Sequence, residues 1–125
     1  MRLLLDTHVL IWLLEDDSRL NGETRKLISD AQAVFASSAS SWEIAIKARL
    51  GKLRIDTERM IDRLARAGIG ELPVSHLHAV ASGKLPLHHR DPFDRLLVAQ
   101  AIAESMQLVT EDEQLLVYSE LVIRI

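Results

Sequence analysis

The sequence contains no cysteine and few aromatic residues, and each absence excludes a class of protein. Without cysteine there is no disulfide, no thiolate zinc site and no cysteine nucleophile, so we expect a cytoplasmic protein. Aromatic residues make up only 4% of the chain, which excludes base stacking as a main mode of nucleic-acid binding. The apolar runs are too short to span a bilayer, so we expect neither a transmembrane helix nor a signal peptide.

Glycine-rich phosphate loops are also missing. Neither GxxxxGK nor GxGxxG occurs, which argues against a nucleoside-triphosphate loop and a dinucleotide site. The serine-rich run 37–41 lacks the GxSxG pattern of a nucleophilic serine, and a helix cap explains it better. The usual nucleotide-binding and serine-hydrolase chemistries are therefore disfavoured.

The charge of the chain is close to balance. Fifteen basic residues face 18 acidic ones, a net charge of −3, whereas a nonspecific nucleic-acid binder is normally basic. If four of the acidic residues bind metal, 14 acidic residues remain against 15 basic ones. Bound divalent cations would therefore make this protein tolerant of phosphate groups.

The length and composition predict a folded protein. With 125 residues, 48% hydrophobic residues and three prolines, the chain can bury a real core, and we predict one domain over residues 1–125. Strand-like and helix-like segments alternate, which predicts a three-layer α/β/α sandwich with a mainly parallel central sheet. The predicted strands are 2–5, 34–36, 71–74, 108–110 and 121–125, and the predicted helices are 9–15, 23–30, 40–50 or 41–50, 57–67, 75–82 and 93–105.

Several residues predict where these helices begin and end. Asn21 is a candidate cap, Ser40 or Ser41 another, and Gly51 a carboxyl-terminal stop, while Pro92 suits a first helical position. Helix 57–67 is amphipathic, and we expect Met60, Ile61, Leu64 and Ala65 on its apolar face.

Four acidic residues stand where apolar segments meet a turn or a helix: Asp6, Glu43, Asp94 and Asp112. Asp6 follows the first predicted strand and Asp112 the fourth, and ligands of open parallel sheets bind at the carboxyl ends of strands. Carboxylate oxygens suit Mg²⁺, and Mn²⁺ accepts the same ligands. Without a cation, each pair about 5 Å apart would repel by roughly 3 kcal/mol at an effective dielectric near 20. Such a cluster needs a metal or raised carboxylate pKa values.

Each acid also has an ordinary structural explanation. Asp6 and Asp112 are good helix caps, and Asp91 can cap the helix that begins at Pro92. Glu43 and Lys47 are one helical turn apart and can form a surface ion pair. The joint placement of the acids at one sheet edge is what favours a shared site.

Four blocks of sequence carry a resemblance to a known family. They are LLLDTH at 3–8, SWEIAIK at 41–47, DPFDRLLVAQA at 91–101 and LVTED at 108–112. In this order, over essentially the whole chain, they resemble the PIN-domain nucleases, and most closely the VapC-type toxins of toxin–antitoxin pairs.

The resemblance implies an endoribonuclease that depends on Mg²⁺ or Mn²⁺. It implies that the four acids bind the metal and that the hydroxyl of Thr110 orients ligands or water. Of the two aspartates three residues apart, Asp94 fits the family pattern better, and we interpret Asp91 as the helix cap. The resemblance also implies a small antitoxin protein as partner and a homodimer.

The basic residues, histidines and tryptophans indicate the function less clearly than the acids do. Lys47, Arg90 and Arg95 are candidates for contacts to the RNA backbone. His76, His78, His88 and His89 lack zinc-motif spacing, so we assign them no metal, although the pair before Arg90 could face RNA. His8 we interpret as structural or as a phosphate contact. We expect Trp12 and Trp42 in the core.

Three other kinds of protein share part of this pattern. A phospho-accepting receiver domain has similar length and clustered aspartates, but it needs a lysine late in the chain, and the last lysine here is Lys84. A catalytically inactive PIN domain that only binds RNA or protein is disfavoured by the presence of all four acids. A housekeeping PIN nuclease would share the whole site and differ only in its biological role.

Overall fold

A five-stranded, fully parallel sheet forms the centre of the protein. The structure is a computed structural model that describes residues 1–125. Its strands are β1 (Arg2–Leu5), β2 (Ala33–Ser37), β3 (Ile69–Leu72), β4 (Gln107–Thr110) and β5 (Val122–Arg124). Their spatial order is β3-β2-β1-β4-β5.

Helices connect the strands and cover both faces of the sheet. They are α1 (Thr7–Glu15), α2 (Gly22–Asp30), α3 (Ser38–Arg49), α4 (Thr57–Arg66), α5 (His76–Lys84) and α6 (Pro92–Glu104), followed by a 3₁₀ helix, Glu113–Tyr118. None of these helices is both long and apolar enough to cross a membrane.

The alternation of side chains along β1 divides the core in two. Leu3 and Leu5 point into one apolar cluster, which α1 and α4 also line, whereas Leu4 points into the other, beneath α6. All three leucines are fully buried. This arrangement confirms the predicted α/β/α sandwich.

The strand order fixes where a site can form. From β1 the chain adds β2 and β3 on one side, then crosses to add β4 and β5 on the other. The crevice between the carboxyl ends of β1 and β4 is therefore the topological switch point, where open parallel sheets bind ligands. Asp6 follows β1 and Asp112 lies two residues beyond β4, on either side of this crevice.

Two predicted boundaries are wrong for identifiable reasons. Strand β3 begins at Ile69 rather than residue 71, because Gly68 adopts φ +75° after α4 and Gly70 lies within the strand. A Cβ at Gly70 would approach the Phe35 ring to 2.9 Å, so a larger residue there would require the ring to shift. Helix α3 begins at Ser38 because the side chain of Ser37, rather than of Ser40 or Ser41, accepts the capping hydrogen bond from Ala39 N.

Three side chains expected in the core or on the apolar face of α4 are exposed, those of Ile61, Ala65 and Trp42, and Trp12 is only half-buried. Met60 and Leu64 on α4 are buried as expected, but Ile61 is 70% exposed. Trp42 is 63% exposed and packs its ring edge against Phe93, with ring centroids 5.2 Å apart. These predictions fail because the apolar cluster includes only Met60 and Leu64 from α4 and Ile44 from α3, so the neighbouring apolar side chains of these helices stay at the surface.

Candidate metal centre at the carboxyl edge of the sheet

Asp6 is both a helix cap and a buried acid of the switch-point crevice. Its backbone N–H donates to Val109 O at 3.0 Å, which ties the end of β1 to β4. Its Oδ1 accepts from Val9 N at 2.9 Å and caps α1, while its Oδ2 accepts a hydrogen bond from the hydroxyl of Thr110. Burial raises the pKa of Asp6 to about 6, although the Thr110 hydrogen bond opposes this rise.

Thr110 links the two acids that follow neighbouring strands. Its hydroxyl donates to Asp6 and accepts from the backbone N–H of Asp112 at 3.1 Å. Asp112 uses Oδ1 to cap the 3₁₀ helix, accepting from Gln114 N at 2.9 Å. Each aspartate thus serves as a cap, as its ordinary structural explanation predicts, and still presents a carboxylate at the shared crevice.

The two aspartates at the start of α6 have different contacts. Asp91 accepts from Phe93 N at 2.8 Å and from Asp94 N at 3.3 Å, so its carboxylate caps the helix as predicted. Asp94 makes no capping bond and instead contacts His89. Burial raises the pKa of Asp94; the His89 hydrogen bond opposes this rise, and the charges of Asp91 and Glu43 add to it.

Glu43 forms the expected ion pair with Lys47, but its carboxylate is buried within α3 rather than at the surface. Its Oε2 lies 2.9 Å from Lys47 Nζ, and its side chain is only 9% exposed. Its Oε1 is buried and has no hydrogen-bond partner. A buried carboxylate oxygen left unpaired is costly unless a cation or another donor reaches it.

His89 completes the cluster, although its sequence position did not predict a place in the site. Its Nε2 is 2.8 Å from Asp94 Oδ2 and 3.8 Å from Asp112 Oδ2, and its Nδ1 is 3.0 Å from Gln114 Oε1. Burial lowers the pKa of His89, but the hydrogen bond and charge of Asp94, with smaller contributions from Gln114 and Asp112, raise it above the ordinary value overall. The only sequence signal was its position five residues before Asp94, in a loop whose path no pattern revealed.

The residues present fit a divalent cation. Potential ligand atoms of His89, Asp94 and Asp112 all lie within 4.8 Å of one another. The charge of Asp94 acts on Asp6, and the charge of Glu43 acts on Asp94, so these acids share one electrostatic environment. Of the four predicted acids, only Asp94 and Asp112 belong to this close group, and Asp6 and Glu43 lie outside it. Carboxylate oxygens are ligands that both Mg²⁺ and Mn²⁺ accept.

Arg95 is not available to bind RNA, contrary to our expectation. The residue is 8% exposed, and its guanidinium is occupied within the protein. It donates to four carbonyl oxygens and one hydroxyl, those of Ser82, Leu85, Pro86, His89 and Tyr118. Arg95 therefore organises the loop that carries His89, while Arg90 is exposed and Lys47 lies against Glu43.

Comparisons with known proteins agree with this geometry. The family model of the PIN domain matches residues 3–121. The chain is 42% identical over 60 residues to Ribonuclease VapC16 of Mycobacterium tuberculosis (strain ATCC 25618 / H37Rv), a match that covers 45% of this chain and 43% of that protein. The chain thus matches less than half the length of this curated relative.

Solved structures share the fold at low sequence identity. One is VapBC2 of Rickettsia felis bound to a DNA fragment from its promoter, with a TM-score of 0.72 and 17% identity, covering 100% of this chain and 98% of that chain. Another is a toxin–antitoxin complex from Klebsiella pneumoniae, with a TM-score of 0.68 and 18% identity, covering 96% and 94% of the two chains.

Proposed function

The chain belongs to the PIN-domain family, and from this premise we propose that it is a divalent-metal-dependent endoribonuclease that acts as the toxin of a toxin–antitoxin pair. Residues 1–125 form its nuclease domain, and Mg²⁺ is its cofactor, with Mn²⁺ able to substitute. The name of the Mycobacterium tuberculosis relative, a ribonuclease, supports RNA as the substrate. The cytoplasmic location expected from the sequence stays a prediction.

The observation that carries this proposal is the unpaired, buried Oε1 of Glu43 in the same electrostatic environment as Asp94. Stability alone does not explain it, since a carboxylate buried beside other carboxylates raises the free energy of the fold. A bound cation would satisfy this oxygen and neutralise the cluster. A module that only binds RNA or protein has no need for this arrangement.

The side chains of the crevice would share the work of phosphodiester hydrolysis. Asp6, Glu43, Asp94 and Asp112 would hold the cation, and Thr110 would fix Asp6 and Asp112 relative to each other through its hydroxyl. When bound, the cation supplies a water of lowered pKa and neutralises charge that develops on the phosphate.

Two basic residues are suited to position the RNA. Lys47 is partly exposed beside Glu43, so its ammonium group can contact a phosphate next to the scissile bond. The exposed Arg90 lies one residue after His89 and can contact the backbone further along.

A small antitoxin is the proposed partner, and the two solved toxin–antitoxin complexes that share this fold support it. An arginine of the antitoxin would bind the carboxylates in a bidentate way and occupy the space that metal and phosphate need. The exposed Ile61 and neighbouring Ala65 line a groove of about 200 Å³ beside α4, which offers the antitoxin an apolar docking site. We also propose a homodimer, as is expected from the family.

The enzymatic part is tested with the purified full-length chain and a labelled RNA. Cleavage is expected in millimolar Mn²⁺ or Mg²⁺ and not in chelator, and the cation should also raise the melting temperature. A cation present at 100 times its Kd stabilises the folded state by about 2.7 kcal/mol. A chain that binds RNA without cleaving it under any of these conditions would be a binding module instead.

The biological part is tested by expression in cells. Wild-type expression should arrest growth, Asp94→Ala should relieve the arrest, and co-expression of a small antitoxin encoded by the adjacent gene should restore growth. If the purified protein cleaves RNA but its expression is harmless, a housekeeping nuclease is the correct description.

A further inference from the structure

The imidazole of His89 lies between two of the proposed metal ligands. Its Nε2 is 2.8 Å from Asp94 Oδ2 and 3.8 Å from Asp112 Oδ2. Neighbouring ligands of a six-coordinate cation with bonds of about 2.1 Å are separated by roughly 3 Å. The 2.8 Å separation matches this value, the 3.8 Å separation is longer, and all three ligand atoms lie within 4.8 Å of one another, close enough for one cation to reach them after a small adjustment.

Gln114 orients the ring so that this nitrogen faces the carboxylates. Its Oε1 lies 3.0 Å from His89 Nδ1 and can only accept a hydrogen bond, so Nδ1 carries a proton and donates it. Without metal, Nε2 is hydrogen-bonded to Asp94; a cation that displaces the proton from this nitrogen would meet its lone pair, because Nδ1 keeps the other proton. Metal-binding histidines are typically held in this way, with the second ring nitrogen donating to a nearby acceptor.

The backbone of His89 is also held in place. Its N–H donates to Tyr118 Oη at 2.9 Å, and its carbonyl accepts from Arg95 at 3.3 Å. Tyr118 in turn donates to Pro86 O at 2.9 Å. A buried arginine and a tyrosine from the far end of the chain thus fix the loop that presents the imidazole.

We propose that His89 is a nitrogen ligand of the divalent cation bound by Asp94 and Asp112, and that Gln114 is its positioning residue. This inference rests on the metal site of the proposed function and adds a ligand to it. Mg²⁺ prefers oxygen ligands, whereas imidazole binds Mn²⁺ more readily, so this nitrogen shifts the site toward Mn²⁺. His89 would thus raise the affinity for Mn²⁺ relative to Mg²⁺ while the carboxylates still accept either cation.

The test is pulsed electron paramagnetic resonance of Mn²⁺ bound to the full-length protein, which detects a coordinated ¹⁴N nucleus directly. Wild-type protein should show ¹⁴N modulation, and His89→Gln should lose it while circular dichroism shows the same fold. Gln114→Leu should weaken the modulation because the ring is no longer oriented, and Gln114→Glu, which keeps an acceptor, should retain it.

The matched controls are the two other histidines near the site. His88→Ala removes the exposed neighbour of His89, and His8→Ala removes the ring whose charge acts on Asp6. Both variants should keep the modulation. If either one abolishes it and His89→Gln does not, the ligand is assigned to the wrong histidine.

Metal affinity provides a second measurement that separates this inference from the proposed function. Calorimetric titration should show that His89→Gln weakens Mn²⁺ binding by about tenfold or more, with a smaller change for Mg²⁺. Wild-type protein that binds Mn²⁺ without ¹⁴N modulation and with the same affinity as His89→Gln overturns the inference and leaves the proposed nuclease intact. Wild-type protein that binds neither cation overturns both.

Discussion

Leu3 to Leu5 and the next residue, Asp6, are all buried, yet they act on the fold in opposite ways. The three leucines are fully buried in the two apolar clusters and stabilise the sheet from both faces. Asp6 is 2% exposed, and burial raises its pKa to about 6. One step past the end of β1 therefore separates a residue that stabilises the sheet from one whose ionised form destabilises it.

The same contrast holds between the apolar core as a whole and the sheet edge that carries the acids. Beneath the sheet edge the core is apolar, whereas at the edge Asp94 has a raised pKa and Glu43 has an unpaired buried oxygen. Proteins commonly retain such destabilising groups where function requires them. Substitutions in the apolar region should therefore lower stability without changing the chemistry, whereas removal of an acid at the edge should impair the chemistry and can stabilise the metal-free fold.

The largest effect is expected at the start of α6. Asp94→Asn removes one carboxylate charge from the site while keeping the size of the side chain, and RNA cleavage should fall by roughly a thousandfold, about 4 kcal/mol. Asp91→Asn preserves a good cap and should retain most of the activity. The measurement is the rate of RNA cleavage at saturating Mn²⁺. Equal losses in the two variants would show that both aspartates serve the site.

Leu4→Ala should lower stability while leaving the activity of the folded protein unchanged. Leu4 is fully buried beneath α6, and a substitution of this kind typically destabilises a protein by about 2–5 kcal/mol. Denaturant unfolding measures the loss, and the fraction that remains folded should cleave RNA at the wild-type rate. A large loss of activity per folded molecule would mean that the core and the edge are coupled.

Asp6→Asn should stabilise the metal-free protein at neutral pH. The pKa of Asp6 is raised from 3.8 to about 6 in the folded state, so the folded state favours its protonated form. That stabilisation is complete below pH 3.8 and is lost as the pH rises through about 6. In chelator, the variant should therefore gain up to about 3 kcal/mol over wild type between pH 4 and 7.

Asp17→Asn is the control, because its expected change in stability has the opposite sign. The hydrogen bonds of Asp17 with Arg19 lower its pKa to about 2, so its contribution is present above pH 3.8 and lost as the pH falls toward 2. Asp17→Asn should therefore lose stability relative to wild type at neutral pH. If Asp6→Asn and Asp17→Asn change stability in the same direction at pH 7, burial of Asp6 is not what distinguishes the two sites.

The sequence was sufficient for the fold and for the position of Asp6 and Asp112 at the sheet edge, because these depend on local patterns, whereas the metal-binding role of the four acids stays a prediction. Apolar runs alternating with amphipathic segments predict a parallel sheet, and an acid directly after a buried strand must lie at its carboxyl edge. The roles of His89 and Arg95 could not be predicted, because they depend on the path of an irregular loop between α5 and α6. Contacts between residues 82–90, Arg95 and Tyr118 decide that path, and no periodicity encodes them.

The smallest effect concerns two lysine–carboxylate pairs of the same spacing. Lys47–Glu43 at the edge and Lys26–Asp30 on α2 both join residues four apart at 2.9 Å, but the carboxylate is 9% exposed in the first and 63% exposed in the second. If Lys47 contacts a phosphate, Lys47→Gln should weaken RNA binding a few-fold and lower the slope of log affinity against log salt by about 1. Lys26→Gln removes the same charge far from the acids and should leave the slope unchanged.

Binding is measured with Asp94→Asn as the background, so that RNA is not cleaved during the titration. Equal slopes for the two lysine variants would place the RNA backbone elsewhere on the protein and restrict Lys47 to neutralising Glu43.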